Sequence, residues 1–388
     1  MIKAFKQISE MKKYTRVLLS IVSFALLFAA FPGCKPELLS PSKYSGTTIV
    51  AGSDSAGFAN GTGTAARFNH PFGLTLDNSG NLYVADQGNE LIRMITPGAV
   101  VSTYAGTVVT TGSVNGPAAL ASFNKPFGVA ADISGNVYVA DAGNNVIRLI
   151  SPPGTVSTFA GTGVAGAADG KDTATFNSPL GVAVDVAGNV YVADYENDLI
   201  RKISAAGVVS TIAGKRGVAG AANGLDTASR FNLPESLAVD VSGNIYVADN
   251  GNNLIRKITP AGVVSTIAGS GKAGFADGTG TSASFNSPFG IAVDLAGNIY
   301  VADAGNNRVR KITPAGTVST FAGSGARGAR DAAGAAATFN TPAGLVIDLA
   351  GNIYVADENN NLIRKITPAA VVTTIASKPV QGTLKLIR

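Results

Sequence analysis

Three kinds of side chain in this sequence could support chemistry: one histidine, one cysteine and a set of recurring acids. His70 and Cys34 are each the single residue of their type among 388 residues. A histidine-based zinc site needs more than one imidazole, and a Ser-His-Asp triad would rest on His70 without a nucleophile-elbow motif. Asp and Glu side chains on facing loops could still gather a divalent cation. We therefore predict no catalytic residue and no cofactor, and keep a carboxylate-metal lyase or hydrolase as the alternative.

Cys34 ends a segment that has the layout of an export signal. From Met11 the chain reads MKKYTRVLLSIVSFALLFAAFPGC. A basic start precedes the apolar stretch 17–31, which is shorter than the roughly 20 apolar residues of a membrane-spanning helix. The Gly-Cys end resembles the lipobox of bacterial lipoproteins, which implies that Cys34 is acylated and becomes the new N-terminus. Ordinary signal cleavage with a free thiol, and a single spanning anchor, remain alternatives.

The charge of the chain is concentrated in this export segment. The formal net charge is +5, but five of the 30 basic residues and one of the 25 acids precede Cys34. The remainder holds 25 basic and 24 acidic residues, and a nucleic-acid binder would show a clustered basic face instead. We therefore expect no nucleic-acid partner, and contact with a membrane only through the lipid.

An internal repeat dominates the rest of the sequence. Tyr-Val-Ala-Asp occurs six times at spacings of 53–55 residues, and its last residues are Asp86, Asp141, Asp194, Asp249, Asp303 and Asp357. In the fifth copy, short β-branched runs alternate with Gly, Asn and Pro turns from Phe285 to Gly323. Such runs predict a four-stranded antiparallel meander. Its first two strands are apolar on both faces, so each meander must pack between two others, and radial repetition into a propeller achieves this.

The repeat resembles the NHL-repeat family. The matching segments are P-x-G-hydrophobic-x-hydrophobic-D, G-N-hydrophobic-Y-V-A-D and the following N-x-hydrophobic-Arg, across residues 47–377. The resemblance implies an all-β fold, a six-bladed propeller of four-stranded antiparallel blades. Some NHL propellers are peptidyl-hydroxyglycine lyases with a histidine-held zinc, which one histidine cannot provide. Thr47–Gly52 either completes the sixth blade, or pairs elsewhere while Thr383–Ile387 adds an edge.

These observations divide the chain into three parts. Residues 1–33 are a lipoprotein-type signal peptide, residues 34–45 are a tether that carries the lipidated Cys34, and residues 46–388 are the propeller. The protein is expected to be exported and monomeric. A cell-envelope location at the outer membrane or cell surface is favoured over the inner membrane.

The repeated polar residues are predicted to serve the blades. Each copy pairs its Tyr-Val-Ala-Asp acid with an arginine seven positions later, as in Asp86 and Arg93. A residue that every blade needs usually stabilises every blade, so we favour this over a ring of charges for a ligand. The Asp-x-x-Gly-Asn motif lacks the ligand pattern of a calcium loop and is better explained as a hairpin turn.

Function is expected where the repeat breaks, around the mouth of the central channel. The residue after the first-strand proline is phenylalanine in three blades, whereas Glu235 replaces it in the fourth. Exposed aromatics with one acid favour a protein or glycan partner, although repeat drift and packing between blades would produce the same pattern. The candidate binding residues are Arg67, His70, Phe72, Phe127, Tyr195, Glu196, Arg230, Glu235 and Phe289. The sequence thus predicts a non-catalytic binding scaffold.

Overall fold

The computed structural model describes residues 51–152 and 154–374, all of which belong to one compact unit. The predicted signal peptide, the tether and the lipidation site at Cys34 lie outside the described residues. In the described part of the chain no helix is long and apolar enough to span a membrane. The described residues form six separate antiparallel sheets, one for each copy of the repeat. The predicted six-bladed propeller is therefore confirmed.

Each blade is a meander in which the four strands of one repeat pair in sequence order. The first strands, which begin at the repeated proline, are Pro71–Leu76, Pro126–Ala131, Pro179–Val184, Pro234–Val239, Pro288–Val293 and Pro342–Ile347. The second strands are Leu82–Asp86, Val137–Asp141, Val190–Asp194, Ile245–Asp249, Ile299–Asp303 and Ile353–Asp357. The third strands are Leu91–Ile95, Val146–Ser151, Leu199–Ile203, Leu254–Ile258, Arg308–Ile312 and Leu362–Ile366. The fourth strands are Val100–Ala105, Thr155–Ala160, Val209–Ala213, Val263–Ala268, Thr317–Ala322 and Val371–Thr374.

In most blades the long connection before the first strand adds a short strand that the sequence did not predict. In five blades two residues pair with the outermost strand of the same blade, which covers an otherwise open sheet edge. These short strands are Gly61–Thr62, Gly116–Pro117, Gly224–Leu225, Gly278–Thr279 and Ala332–Ala333. The same connections contain the 3-10 turns Gly63–Ala65, Asp226–Ala228, Gly280–Ser282 and Gly334–Ala336. A second set follows the second strands, at Gln87–Asn89, Ala142–Asn144, Tyr195–Asn197, Asn250–Asn252, Ala304–Asn306 and Glu358–Asn360.

The first strands line the central channel. Each one contacts the first strands of both neighbouring blades, and the sixth contacts the first, so the ring is closed. The strands converge so tightly that a Cβ atom at Gly73 would lie 2.3 Å from the carbonyl oxygen of Phe127. In the five blades that carry glycine at this position, the close approach of two backbones requires it, whereas blade four carries Ser236.

The core lies between the blades. Each of six clusters of buried apolar residues combines side chains from two adjacent blades. In the cluster between blades six and one, Ala51 is fully buried and its carbonyl oxygen accepts a hydrogen bond from the Ile363 N–H at 3.0 Å. In the first blade, Ala105 at the end of the fourth strand pairs with Ile92 in the same way. The contact supports completion of blade six by the N-terminal segment; Thr383–Ile387 lies outside the described residues.

Candidate functional site

The repeated Asp-Arg couples are internal supports of the blades. In blade two, Asp141 and Arg148 are fully buried, and the Arg148 Nη1 atom lies 2.7 Å from Asp141 Oδ2. Arg148 also donates to the carbonyl oxygens of Ser122 and Val114, and its guanidinium lies 5.3 Å from the centroid of the Phe123 ring. All six couples have this arrangement at 2.6–2.8 Å. The couples hold the long connection onto its blade and leave no charge free for a ligand.

The aspartates of the Asp-x-x-Gly-Asn turns likewise accept hydrogen bonds from groups within their own turns. Asp77 Oδ1 accepts the N–H groups of Ser79 and Asn81 at 2.8 and 2.9 Å, while Oδ2 accepts from the Asn81 amide. Partial burial raises the pKa of Asp77, but these hydrogen bonds outweigh it and hold the pKa below its ordinary value. The turn is a capped hairpin, as the sequence predicted.

A ring of hydrogen bonds, which we call the blade latches, joins consecutive blades on the face where the second strands end. In each latch a side-chain oxygen after a 3-10 turn accepts the N–H of the residue before the next blade's proline. The pairs are Asn361 to His70, Glu90 to Lys125, Asn145 to Ser178, Asp198 to Leu233, Asn253 to Ser287 and Asn307 to Thr341, at 2.5–3.0 Å. The six latches fix the turns that surround the channel mouth.

Inside this ring lies an open cavity of about 710 Å³, which we call the mouth cavity. The predicted residues that line it are Phe72, Phe127, Tyr195, Glu235 and Phe289. A narrower cavity of about 60 Å³ continues from it into the channel between the first strands. Phe72, Leu180 and Glu235 line both cavities and form the boundary between them.

The floor of the mouth cavity is mainly aromatic. The ring centroids of Phe72 and Phe127 are 4.8 Å apart in an edge-on arrangement, and those of Phe72 and Phe289 are 5.6 Å apart. Phe289 comes from blade five and reaches Phe72 in blade one because blade six contributes only the small Ala343 at this position. Because the six blades differ at this position, the floor is asymmetric, with aromatic rings on one side.

Glu235 occupies the other side of this floor. Its side chain is only 5% exposed, and no hydrogen bond from another described residue reaches its carboxyl group. Burial, followed by the nearby charge of Glu358, raises the pKa of Glu235 to about 8. The group is thus mostly protonated at neutral pH, as expected for a carboxyl group in apolar surroundings.

The wall above the floor carries further polar groups. Burial, and then the charges of Glu235, Glu196 and Asp198, raises the pKa of Tyr195 to about 12. Glu358 also lines the cavity; its Oε1 atom lies 3.4 Å from His70 Nδ1, and burial raises its pKa despite that contact. The Nδ2 atom of Asn250 is buried and has no hydrogen-bond partner in the part of the chain that the structure describes. The wall is therefore polar, and a ligand would meet both donors and acceptors.

Four predicted residues lie outside the cavity lining. Arg67 is exposed on the surface of blade one. The guanidinium of Arg230 donates to carbonyl oxygens of its own blade at 2.6–2.7 Å. Glu196 is exposed on its 3-10 turn, and His70 is half exposed and contributes through Glu358.

Sequence analysis missed several residues that line the mouth cavity, and for Glu358 and Lys125 a signal was present. Glu358 directly follows the last Tyr-Val-Ala-Asp, at a position that differs in nearly every blade, as Tyr195 and Asn250 show. Lys125 occupies the equally variable position before the proline. Variation at a fixed repeat position, compared across all six copies, would have identified both. Elsewhere in the described residues, as here, no three His, Cys, Asp or Glu side chains are grouped to hold a metal ion.

Comparisons with known proteins agree with this architecture. The NHL repeat model matches residues 176–203, 231–258, 285–312 and 339–366, in blades three to six. NHL repeat-containing protein 2 of Gallus gallus is 31% identical over 338 residues, which are 76% of this chain and 46% of that protein. Protein SUPPRESSOR OF QUENCHING 1 of Arabidopsis thaliana is 30% identical over 286 residues, 68% of this chain and 27% of that protein. The chain thus spans less than half the length of these relatives.

A solved structure supports the fold alone. An auxiliary nutrient binding protein from Bacteroides thetaiotaomicron superposes with a TM-score of 0.62 at 18% identity, covering 82% of this chain and 75% of that one. Six antiparallel blades around a closed ring of first strands define a β-propeller. With the repeat matches, the chain is an NHL-repeat β-propeller.

Proposed function

We propose that this propeller is a non-catalytic binding protein of the bacterial cell envelope, which takes a protein or glycan partner at the mouth cavity. One observation carries the proposal: the cavity is lined by residues at positions where the repeat varies, such as Glu235 and Tyr195. The repeated Asp and Arg residues instead pair with each other inside the blades. A concave site of several hundred cubic ångströms with a few polar groups is the usual form of a ligand site.

The proposed location of the protein rests on its N-terminal sequence. Export through residues 1–33 and acylation of Cys34 would place a monomeric propeller at the outer membrane or cell surface, with the lipid as its membrane contact. The known binding protein with the same fold is consistent with such a scaffold. A nearly neutral body agrees with a partner other than nucleic acid.

The test is binding of the full-length protein, in a non-ionic detergent, to arrays of glycans and peptides. Phe127→Ala removes one ring of the cavity floor and should abolish the signal of any true partner. Leu349→Ala is the matched control, because Leu349 is 95% exposed in the turn between the first and second strands, at the opposite end of its sheet. A partner that is bound equally by both variants would refute the mouth cavity as the site.

A further inference from the structure

The unusual feature of the mouth cavity is a buried acid that no other described residue neutralises or hydrogen-bonds. At the position after the first-strand proline, the other five blades carry Phe72, Phe127, Leu180, Phe289 and Ala343, whereas blade four carries Glu235. Each Asp-Arg carboxylate is neutralised by its own arginine, but no such cation faces Glu235 among the described residues. A buried acid costs free energy when it ionises without a partner, so its presence here points to a ligand that supplies one.

The surroundings of Glu235 favour a positive charge. The faces of aromatic rings carry negative electrostatic potential and attract ammonium groups. Two basic side chains near the mouth already have acidic neighbours: the imidazole of His70 lies against Glu358, and Lys125 stabilises the charge of Glu90. The titratable groups around the mouth cavity are Glu90, Glu196, Asp198, Glu235, Glu358, Tyr195, Lys125 and His70. Of these groups, Lys125, Tyr195, Glu235 and Glu358 line the cavity, so its two carboxyl groups outnumber its single amine.

Given the proposed binding function, on which this inference rests, we propose that the mouth cavity receives a lysine side chain of a partner protein. Its ammonium group binds the Glu235 carboxylate, while its four methylene groups lie along the rings of Phe72 and Phe127.

The shape of the site favours an alkylammonium over an amino sugar. Glu235 lies at the boundary between the wide cavity of about 710 Å³ and the narrow one of about 60 Å³. A slender apolar stem with a terminal charge can reach this depth, as lysine stems do along apolar surfaces. An amino sugar carries its ammonium on a ring flanked by hydroxyl groups, which the phenylalanine rings cannot satisfy with hydrogen bonds.

Protonation gives the inference a measurable signature. Binding of an ammonium requires the Glu235 carboxylate, and the pKa of the free group is raised to about 8 by burial. Lysine stays charged up to about pH 10. Affinity should therefore increase nearly tenfold from pH 6 to pH 7, as the proton on Glu235 becomes easier to displace.

The experiment is calorimetric titration of the full-length protein, in a non-ionic detergent, with three probes. They are Nα-acetyl-lysine methylamide, its uncharged analogue Nα-acetyl-norleucine methylamide, and glucosamine. We expect the lysine probe to bind at least tenfold more tightly than either of the others. In Glu235→Gln, which keeps the size of the side chain, affinity for the lysine probe should fall at least tenfold and lose its dependence on pH.

The inference would be overturned by equal binding of lysine and norleucine probes, by preference for glucosamine, by an unchanged Glu235→Gln variant, or by no binding of the lysine probe. The binding function itself is tested separately. If a macromolecular partner is lost in Phe127→Ala but kept in Glu235→Gln, the mouth cavity is the site and lysine recognition is wrong. If neither variant affects the partner, the proposed function fails as well.

Discussion

In the Glu235→Leu variant, the buried acid is replaced by the side chain that blade three carries at the equivalent position, Leu180. The folded-state pKa of Glu235 is raised from 4.5 to about 8 by burial. A raised pKa means that the stability contribution is complete below pH 4.5 and is lost as the pH rises through about 8. Relative to low pH, ionisation of this group lowers the free energy of unfolding of the wild-type protein by about 1 kcal/mol at pH 5, about 3 at pH 7 and about 5 at pH 9.

Leucine has no group to ionise, so the stability of the variant relative to the wild type should increase by about 4 kcal/mol between pH 5 and pH 9. The assay is urea unfolding of both proteins at pH 5, 7 and 9, with the free energy of unfolding taken from linear extrapolation. Phe289→Leu is the control, since it changes the same cavity floor without a titratable group and should shift stability equally at each pH. A difference for Glu235→Leu that varies by less than about 1 kcal/mol across this range would refute the burial of an unpaired acid.

Three further predictions concern a buried ion pair, the blade latches and the proposed lipid anchor. Arg148→Met should lower the free energy of unfolding by about 3–5 kcal/mol, because it leaves Asp141 buried without its cation; a loss under 1 kcal/mol in urea unfolding would contradict this. Asn361→Gly removes the latch between blades six and one, and glycine still suits the left-handed backbone at φ 55°. It should lower the free energy of unfolding by about 1 kcal/mol, as should Asn253→Gly at the latch between blades four and five. An unchanged unfolding midpoint would count against the latch. Cys34→Ser should abolish incorporation of labelled fatty acid in a bacterial host, whereas label retained on the serine variant would exclude this lipidation site.

The repeat made the fold predictable because each blade obeys the same local rules. The proline, the glycine turn and the Tyr-Val-Ala-Asp strand recur at a near-constant period, and one copy therefore predicts all six. The buried role of Asp141 and Arg148 followed from the same reasoning, since a ring of identical ion pairs serves every blade. The short edge strand, such as Gly61–Thr62, was not predictable, since two residues carry no periodic signal.

The candidate site was only partly predictable. Phe72, Phe127 and Phe289 could be identified by comparing one position across blades, but the contact of Phe289 with Phe72 depends on the small Ala343 in the blade between them. Arg67 and Arg230 were also candidates, yet neither lines the mouth cavity, because side-chain direction rather than spacing along the chain decides what a residue faces. The blade latches depend on left-handed residues before proline, a conformation that sequence rules disfavour.

We propose that the mouth cavity, and no other surface of the described residues, holds the partner. The most direct measurement is a crystal structure of the full-length protein with the partner, or its bound segment, selected from the arrays. We expect the ligand to contact Phe127 and to place a positively charged group within about 3 Å of a Glu235 carboxyl oxygen. A ligand bound near Arg67 or Arg230, with the mouth cavity unoccupied, would contradict this expectation.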